Sequence, residues 1–265
     1  MAAWSAMNLS TPASPPRLLP LGDAAWTLEL APGLDDTANR RVMALADALR
    51  AARRCEPSLA DVTDVVPSFR SLTVHFDPLR ADADALGQWL LTAAQASAAA
   101  PHTPRCWRLP LCCDLSVAPD LADLAAATGL SVEAVVSLFS QAPLRVAMIG
   151  FMPGFPYMTG LPPALARPRR ATPRKAVPAR SVAVAGEMAC IYPWQSPGGW
   201  HLLGRCPLPM FELAHPQQAA WLQAGDEVRW QVISLDALTA LEQRVQRGAW
   251  RREDFLIPSV EAATS

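Results

Sequence analysis

The chain has 265 residues, of which 51% are hydrophobic and 18% charged. This composition is typical of a globular protein with a large buried fraction, and it excludes an intrinsically disordered chain. The net charge of −1 argues against a nucleic-acid partner or an anionic membrane surface. No stretch approaches the roughly 18 apolar residues that a membrane helix needs, so neither nucleic acid nor membrane is expected as a partner.

The N-terminal residues 1–20 are rich in Pro, Ser and Ala and lack the charged start and apolar segment of a signal peptide, so they are predicted to be a disordered leader. Because the chain is long and shows no export signal, its cysteines are interpreted as reduced thiols of a cytoplasmic protein. Cys112 and Cys113 would point to opposite faces of a strand, which is poor geometry for a shared metal.

Residues 21–100 show a pattern typical of an α+β sandwich. Apolar residues recur at helical spacing from Val42 to Leu49, and Asp35 or Asp36 can cap the start of that helix. The predicted elements are a strand at 24–30, a helix ending near Arg54, strands at 61–66 and 71–76, and a helix at 82–98. This order predicts helices that cover one face of a small, mostly antiparallel sheet.

A segment with two prolines, residues 98–104, is the predicted linker to a second domain at 105–234. That domain is predicted to begin with two strands and two short helices. The strands are placed at 105–111 and 145–149, and the helices at 119–128, ended by Gly129, and at 131–139, capped by Ser131.

From Phe151 onward the sequence cannot accommodate helices of ordinary length, because 12 of the 26 prolines lie at 151–216 and seven of the 13 glycines at 150–204. Short apolar segments between these breaks predict a compact β-barrel with long loops. Its strands are placed at 181–185, 190–192, 201–203, 210–213 and 227–233. A helix at 235–246 and a trailing tail are predicted for residues 235–265.

The motifs of a self-contained nucleotide hydrolase or metalloenzyme are missing from the sequence. It has no Gly-x-x-x-x-Gly-Lys-Ser/Thr loop, no Gly-x-Gly-x-x-Gly turn and no Gly-x-Ser-x-Gly elbow. The four histidines show no zinc-ligand spacing, and His75 is interpreted as an ordinary sheet residue. No metal ligands are expected, and no catalytic residue is assigned.

Two loops have unusual chemistry. Residues 151–157 place three aromatic side chains among prolines and a glycine, and residues 196–200 combine a serine, two glycines and a tryptophan. A third loop supplies cations: Arg167, Arg169, Arg170, Arg174 and Lys175. Together they could form a pocket for a small carboxylate or phosphate, with aromatic walls, backbone donors and guanidinium groups. The alternative, loops that only close a barrel beside a solvated arginine cluster, stays open on composition alone.

The order of the rare sequence blocks is informative. The blocks are Gly150-Phe151-x-Pro153-Gly154-Phe155-Pro156-Tyr157, Pro168-Arg169-Arg170-x-x-Pro173-Arg174, Val177-Pro178-Ala179-x-Ser181-Val182, Ile191-Tyr192-Pro193 and Ser196-Pro197-Gly198-Gly199-Trp200-x-Leu202-Leu203-Gly204-Arg205. In this order they resemble the family of 5-oxoprolinase B subunits, also called allophanate hydrolase subunit 1. Blocks at 65–78 and 224–228 extend the resemblance to nearly the whole chain.

The resemblance implies an N-terminal α+β domain followed by a cyclophilin-like β-barrel. It also implies a function as the B subunit of an ATP-dependent 5-oxoprolinase, which converts 5-oxo-L-proline to L-glutamate with ATP as a co-substrate. The C subunit of 5-oxoprolinase is the implied direct partner, and an A subunit completes the enzyme. Two alternatives within the same family stay open: a regulatory module that inhibits a sensor histidine kinase, and a carboxyltransferase-like component of urea or allophanate metabolism.

The residues expected to bind substrate or nucleotide lie in the resembling blocks: Phe155, Arg169, Arg174, Tyr192, Ser196, Gly198, Gly199, Trp200 and Arg205. Four departures from the family pattern fall near them. Cys112-Cys113-Asp114 replaces a Tyr-Gly-Gly segment, Phe139 a histidine, Arg180 a glycine, and Met188-Ala189-Cys190 a Gln-Thr-Gly triplet. They indicate either a different ligand or a copy that has kept the fold without the activity.

Overall fold

The computed structural model describes residues 16–33, 35–96, 104–214 and 218–258. The chain divides into two compact units, Met1–Ala100 and Pro101–Ser265. The predicted linker at 98–104 lies almost entirely outside the described residues.

The first unit is a four-stranded antiparallel sheet with two helices. Its sheet order is β1-β2-β4-β3, and its elements are β1 (Arg17–Pro20), β2 (Ala25–Glu29), α1 (Asp36–Ala52), β3 (Val62–Pro67), β4 (Ser71–Phe76) and α2 (Ala83–Ala96). The carboxylate of Asp35 accepts from the backbone N–H groups of Thr37 and Ala38 and so caps α1 as predicted. The predicted α+β architecture of this half is confirmed.

The prediction of a disordered leader at residues 1–20 is wrong for its C-terminal end, because Arg17–Pro20 form strand β1. Leu18 pairs with Leu28 of β2 in register, and the guanidinium of Arg17 lies 3.8 Å from the carboxylate of Glu29. Pro20 is tolerated at the last position of an edge strand, because the N–H that proline lacks is not needed there for a hydrogen bond between strands. Residues 1–15 lie outside the described part of the chain.

The second unit is built around a closed barrel of seven strands. The order is β12-β9-β10-β7-β6-β13-β5, and the pairing of Arg205 in β12 with Cys112 in β5 closes the circle. The strands are β5 (Cys106–Cys112), β6 (Leu144–Ile149), β7 (Pro156–Thr159), β9 (Ser181–Ala185), β10 (Met188–Ile191), β12 (His201–Arg205) and β13 (Glu227–Ile233). The predicted sequence of a sandwich followed by a barrel is thus confirmed.

Three helices and three further strands accompany the barrel. They are α3 (Leu121–Thr128), α4 (Val132–Gln141), α5 (Leu235–Gln246), the two-stranded ribbon β8 (Arg174–Val177) with β11 (Ser196–Gly198), and β14 (Leu256–Ile257). Gly129 ends α3 with φ +69°, and Ser131 caps α4, as predicted. Among the described residues no single helix is long and apolar enough to cross a bilayer; only α3 and α4 together, bent by 96°, meet the criteria of length and composition.

Two predictions for the second half are wrong. Residues 210–213 form no strand, and Phe211 makes only an isolated bridge to Ala220. The tail does not trail off after α5, because β14 pairs with β5, Ile257 lying opposite Cys106. The nearly buried Arg252 donates to the carbonyl of Gln218 at 2.7 Å, which fixes this segment to the barrel unit. Residues 259–265 are outside the described ranges.

Alternate residues of a barrel strand pack into two different apolar clusters. In β9, Val182 and Val184 join the larger core with α3 and α4, whereas Ala183 and Ala185 face a smaller cluster on the opposite side of the strand. The smaller cluster contains most of the aromatic residues singled out in the sequence. The candidate functional site is therefore centred on this cluster.

Candidate functional site

Four aromatic side chains meet in the smaller cluster, with Phe155 at its centre. The ring centroid of Phe155 lies 4.8 Å from that of Tyr157, 5.1 Å from Tyr192 and 6.4 Å from Trp200. The barrel order explains this meeting, because β7 carries Tyr157, β10 ends just before Tyr192 and β12 begins just after Trp200. Cys190 lies opposite Tyr157 in the β10–β7 ladder and is fully buried.

The loop before β7 presents one aromatic ring to solvent. Phe151 is 67% exposed and has φ +68°, a conformation that non-glycine residues adopt only at some energetic cost. Its ring still contacts Phe155 edge-on at 5.5 Å. Three backbone hydrogen bonds hold the turn, from Gly150 N to Phe155 O at 3.2 Å, from Met152 N to Gly150 O at 2.8 Å and from Phe155 N to Met152 O at 3.1 Å. The conformation of the loop is therefore stabilised by its own backbone bonds.

Arg169 brings positive charge to the aromatic cluster. Its guanidinium carbon lies 6.0 Å from the centroid of the Trp200 ring, within the range of a cation–π contact. No carboxylate among the described residues forms an ion pair with Arg169. Its positive charge also acts to lower the pKa values of Tyr157, Tyr192 and Cys190. Arg169 is thus an exposed cation held beside two phenols and a thiol.

The phenols and the thiol remain protonated at neutral pH. Burial raises the pKa values of Tyr157, Tyr192 and Cys190, and the charge of Arg169 offsets only part of that rise. A protonated phenol can donate a hydrogen bond, and a guanidinium can only donate. The site therefore offers donors and positive charge, which suit a carboxylate or a polarised carbonyl oxygen of a ligand.

The β8–β11 ribbon lies directly against Tyr192. A Cβ atom at Gly198 would overlap the phenol oxygen of Tyr192 and lie 2.9 Å from its Cζ, so only glycine fits there. At Gly199 the nearest atom to such a Cβ, in Pro173, is 3.6 Å away, an ordinary contact. The hydroxyl of Ser196 donates to the neighbouring Pro197 carbonyl at 3.4 Å.

Arg174, expected to bind ligand, is already engaged by a carboxylate. Asp120 is only 2% exposed and accepts from Arg174 Nη1 at 2.8 Å and Nη2 at 2.6 Å. Arg170 Nη1 donates to the same carboxylate at 2.8 Å, and the backbone N–H of Leu202 does so at 2.7 Å. Burial alone would raise the pKa of Asp120, but the hydrogen bonds from Arg174 and Leu202 and the two guanidinium charges lower it below its ordinary value.

Arg205 is likewise paired with a carboxylate, in this case that of Glu242. Its Nε donates to Glu242 Oε1 of α5 at 2.8 Å, and Arg180 Nη1 lies 3.7 Å from the same oxygen. Arg180 also donates to the carbonyl of Pro207 at 2.9 Å and has φ +68°, the left-handed conformation in which glycine is at ease. Of the predicted residues, the structure joins Phe155, Arg169, Tyr192, Gly198 and Trp200 in one site, and it turns Arg174 and Arg205 towards carboxylates.

Sequence reasoning missed Asp120 and did not include Tyr157 or Cys190 among the site residues. Asp120 lies 50 residues before Arg170, 54 before Arg174 and 82 before Leu202, so no local spacing connects them. Tyr157 stands in the aromatic block and could have been found from it. Within the described ranges no group of three or more His, Cys, Asp and Glu residues is placed to hold a metal ion.

Comparison with known proteins agrees with this architecture. Residues 16–222 match the family described as carboxyltransferase domain, subdomain C and D. Several relatives carry the name of the B subunit of 5-oxoprolinase, and two of them show the extent of the match. The protein of Escherichia coli O157:H7 is 35% identical over 79% of this chain and 93% of its own length. The protein of Haemophilus influenzae is 33% identical over 83% of this chain and 99% of its own.

Solved structures show the same fold within longer chains. The protein TTHA0988 is 35% identical and superposes with a TM-score of 0.68 over 79% of this chain, which spans only 40% of that protein. The urea carboxylase of Kluyveromyces lactis is 17% identical and has a TM-score of 0.66 over 86% of this chain and 23% of its own, which establishes likeness of fold. This chain therefore belongs to the family of 5-oxoprolinase B subunits, within the carboxyltransferase domain, subdomain C and D.

Proposed function

We propose that the chain is the non-autonomous B subunit of an ATP-dependent 5-oxoprolinase. In this proposal it acts with a directly bound C subunit and with an A subunit, and the complex converts 5-oxo-L-proline to L-glutamate while hydrolysing ATP. The observation that carries the proposal is the relationship to two proteins named as 5-oxoprolinase B subunits, which this chain matches over 93% and 99% of their lengths. That name itself implies partner subunits.

The chemistry of the site supports such a substrate. 5-Oxoproline has one carboxylate and one lactam oxygen, and both accept hydrogen bonds. Arg169 would pair with the carboxylate, while the protonated hydroxyl of Tyr157 would supply a donor nearby. Phe155 and Trp200 are buried beside these groups in the apolar cluster and would exclude water from that side of the ligand.

The lactam is a poor electrophile because its amide is resonance-stabilised. Transfer of the γ-phosphoryl group of ATP to the lactam oxygen would make the carbonyl carbon more electrophilic and release ADP. Water would then attack that carbon, the ring C–N bond would break with a proton passing to the nitrogen, and the phosphoryl group would leave as inorganic phosphate. Guanidinium and N–H donors would stabilise the charge that develops. The groups gathered around Phe155 are donors, and the nearby carboxylate of Asp120 already accepts four hydrogen bonds, so in this proposal the base that activates the water comes from a partner subunit.

Reconstitution tests the proposal. The chain is co-expressed with the candidate A and C subunits of the same genome, the complex is purified by a tag on the C subunit, and ADP release is measured with and without 5-oxoproline. We expect ADP release that depends on 5-oxoproline, on ATP and on this chain. A purified complex that contains all three chains and releases no ADP on addition of 5-oxoproline would contradict the proposal.

A second candidate follows from the family description, carboxyltransferase domain. The chain would then be a component of carboxyl transfer from biotin to a urea-like acceptor. The same purified complex, given carboxylated biotin carrier protein made with labelled bicarbonate, distinguishes the two functions. Label transfer to urea without 5-oxoproline-dependent ADP release would favour this second candidate over the first.

A further inference from the structure

The carboxylate of Asp120 joins two walls of the candidate site. On one side it accepts from Arg170, in the loop that also carries Arg169, and from Arg174, the first residue of β8 after that loop. On the other side it accepts from the N–H of Leu202, and its own N–H donates to the carbonyl of Leu202 at 3.2 Å. Leu202 lies two residues after Trp200, in the same strand end and the same apolar cluster.

Asp120 has no capacity left to contact a ligand. A carboxylate has about four lone-pair sites, and Asp120 already accepts four hydrogen bonds, three of them from guanidinium groups. It stands at the start of α3, where an aspartate usually caps the helix, yet its side chain makes no capping bond. The carboxylate instead accepts hydrogen bonds from residues that lie 50 to 82 positions further along the chain.

The loop and the strand end are also joined by two bonds that flank Arg169 and Trp200. The N–H of Arg170 donates to the carbonyl of Gly199 at 2.7 Å, and His201 Nε2 lies 2.9 Å from the carbonyl of Pro168. Each of these bonds connects a residue adjacent to Arg169 with a residue adjacent to Trp200. The separation of the Arg169 guanidinium from the Trp200 ring is therefore set by a small network in which Asp120 supplies the negative charge.

We propose that Asp120 is a positioning residue of this site: it fixes the loop of Arg169 against the strand end of Trp200, so that the guanidinium is held ready for an anionic substrate. This inference rests on the proposed function for the identity of that substrate. Asp120 acts through Arg170, Arg174 and Leu202. Its charge offsets one of the two guanidinium charges that contact it, and Arg169, which forms no ion pair among the described residues, stays available to the ligand.

Asp120→Asn is the test variant, because an amide keeps the size of the side chain but cannot accept from all four donors. Asp226→Asn is its matched control. Asp226 is 3% exposed, accepts from Arg105 at 2.9 and 2.7 Å, from Trp107 Nε1 at 3.0 Å and from the N–H of Gln223 at 2.9 Å. It is thus an equally buried Asp–Arg group of the same unit, outside the aromatic cluster.

The first readout is the steady-state kinetics of the reconstituted complex. For Asp120→Asn we expect KM for 5-oxoproline to rise about tenfold with a smaller change in kcat, and for Asp226→Asn both constants to stay within about twofold of the wild type. Both variants are expected to lower the melting temperature of the chain, so stability alone does not produce the difference. Equal KM values for the two variants would overturn the inference.

The second readout needs no turnover and uses the full chain by itself. Amide hydrogen exchange is compared at residues 168–175 and 199–203 in the wild type and both variants. Faster exchange in both segments for Asp120→Asn, and unchanged exchange there for Asp226→Asn, supports the positioning role. Unchanged exchange in Asp120→Asn overturns it. If the wild-type complex shows no activity, the proposed function fails, and this comparison still decides the role of Asp120.

Discussion

Gly198 packs directly against the phenol ring of Tyr192, and a side chain at position 198 would overlap the hydroxyl oxygen of that ring. The contact places the β8–β11 ribbon over the aromatic cluster. The backbone N–H of Trp200 also reaches the Tyr192 hydroxyl. The ribbon and Tyr192 therefore form one packed unit.

The variant Gly198→Ala is expected to destabilise the chain by about 1–3 kcal/mol, because the added methyl forces the ribbon or the ring to move. Gly199→Ala is the matched control, since its Cβ would meet nothing nearer than 3.6 Å. Thermal unfolding followed by near-ultraviolet circular dichroism compares the two. A melting temperature of Gly198→Ala equal to that of Gly199→Ala would show that the ribbon does not press on Tyr192.

The pair of Asp120 with Arg174 predicts a pH dependence of stability. The folded-state pKa of Asp120 is lowered, so its contribution is fully present above the unfolded pKa of about 3.9 and is lost as the pH falls through the folded value. At pH 7 we expect Asp120→Asn to reduce the free energy of unfolding by about 2 kcal/mol. In urea denaturation, this difference should shrink below about pH 4. A difference that stays constant down to about pH 3 would contradict the lowered pKa of Asp120.

The left-handed conformation of Arg180 predicts an order of stabilities. Arg180→Ala removes the bond to the Pro207 carbonyl and the ion pair with Glu242 but keeps the strained φ, whereas Arg180→Gly also relieves the strain. Glycine should therefore be more stable than alanine at this position by about 1 kcal/mol. Guanidinium chloride denaturation of the two variants measures the difference. The reverse order would mean that the backbone at position 180 carries no strain.

The cysteines should differ sharply in reactivity. Cys55 is exposed, whereas burial raises the pKa of Cys113 and of Cys206 to about 12 and raises that of Cys190 well above its ordinary value. With Ellman's reagent at about pH 8, near the ordinary thiol pKa, we expect rapid modification of Cys55 alone in the native chain, and of all six cysteines after denaturation. Rapid native modification that persists in Cys55→Ser would show that a buried thiol is accessible.

Much of the fold could be predicted because its signals are local. Asp35, Gly129 and Ser131 mark helix ends by their own chemistry, and alternation of apolar residues marked β4. The strand β1 was missed because the Pro- and Ser-rich composition around it outweighs the short apolar pair Leu18-Leu19. That pair becomes a strand only when β2 supplies a partner.

The candidate site was predicted in part, for a related reason. Phe155, Tyr192 and Trp200 lie in rare aromatic motifs that can be recognised from the sequence without the structure. The difference between Arg169 and Arg174 could not be predicted, because it depends on a carboxylate 54 residues before Arg174 that only the folded chain brings near. The occupation of Arg205 by Glu242 of α5 is equally a product of tertiary packing.

Arg169 is the proposed substrate-binding cation of the reconstituted complex, and one kinetic comparison tests this role most directly. The complex is prepared with wild-type chain and with Arg169→Ala, and 5-oxoproline-dependent ADP release is measured over a range of 5-oxoproline concentrations. Loss of a guanidinium–carboxylate contact should lower kcat/KM by about 100-fold or more, with subunit association unchanged. Wild-type values of kcat/KM in the Arg169→Ala complex would contradict the proposed role of Arg169.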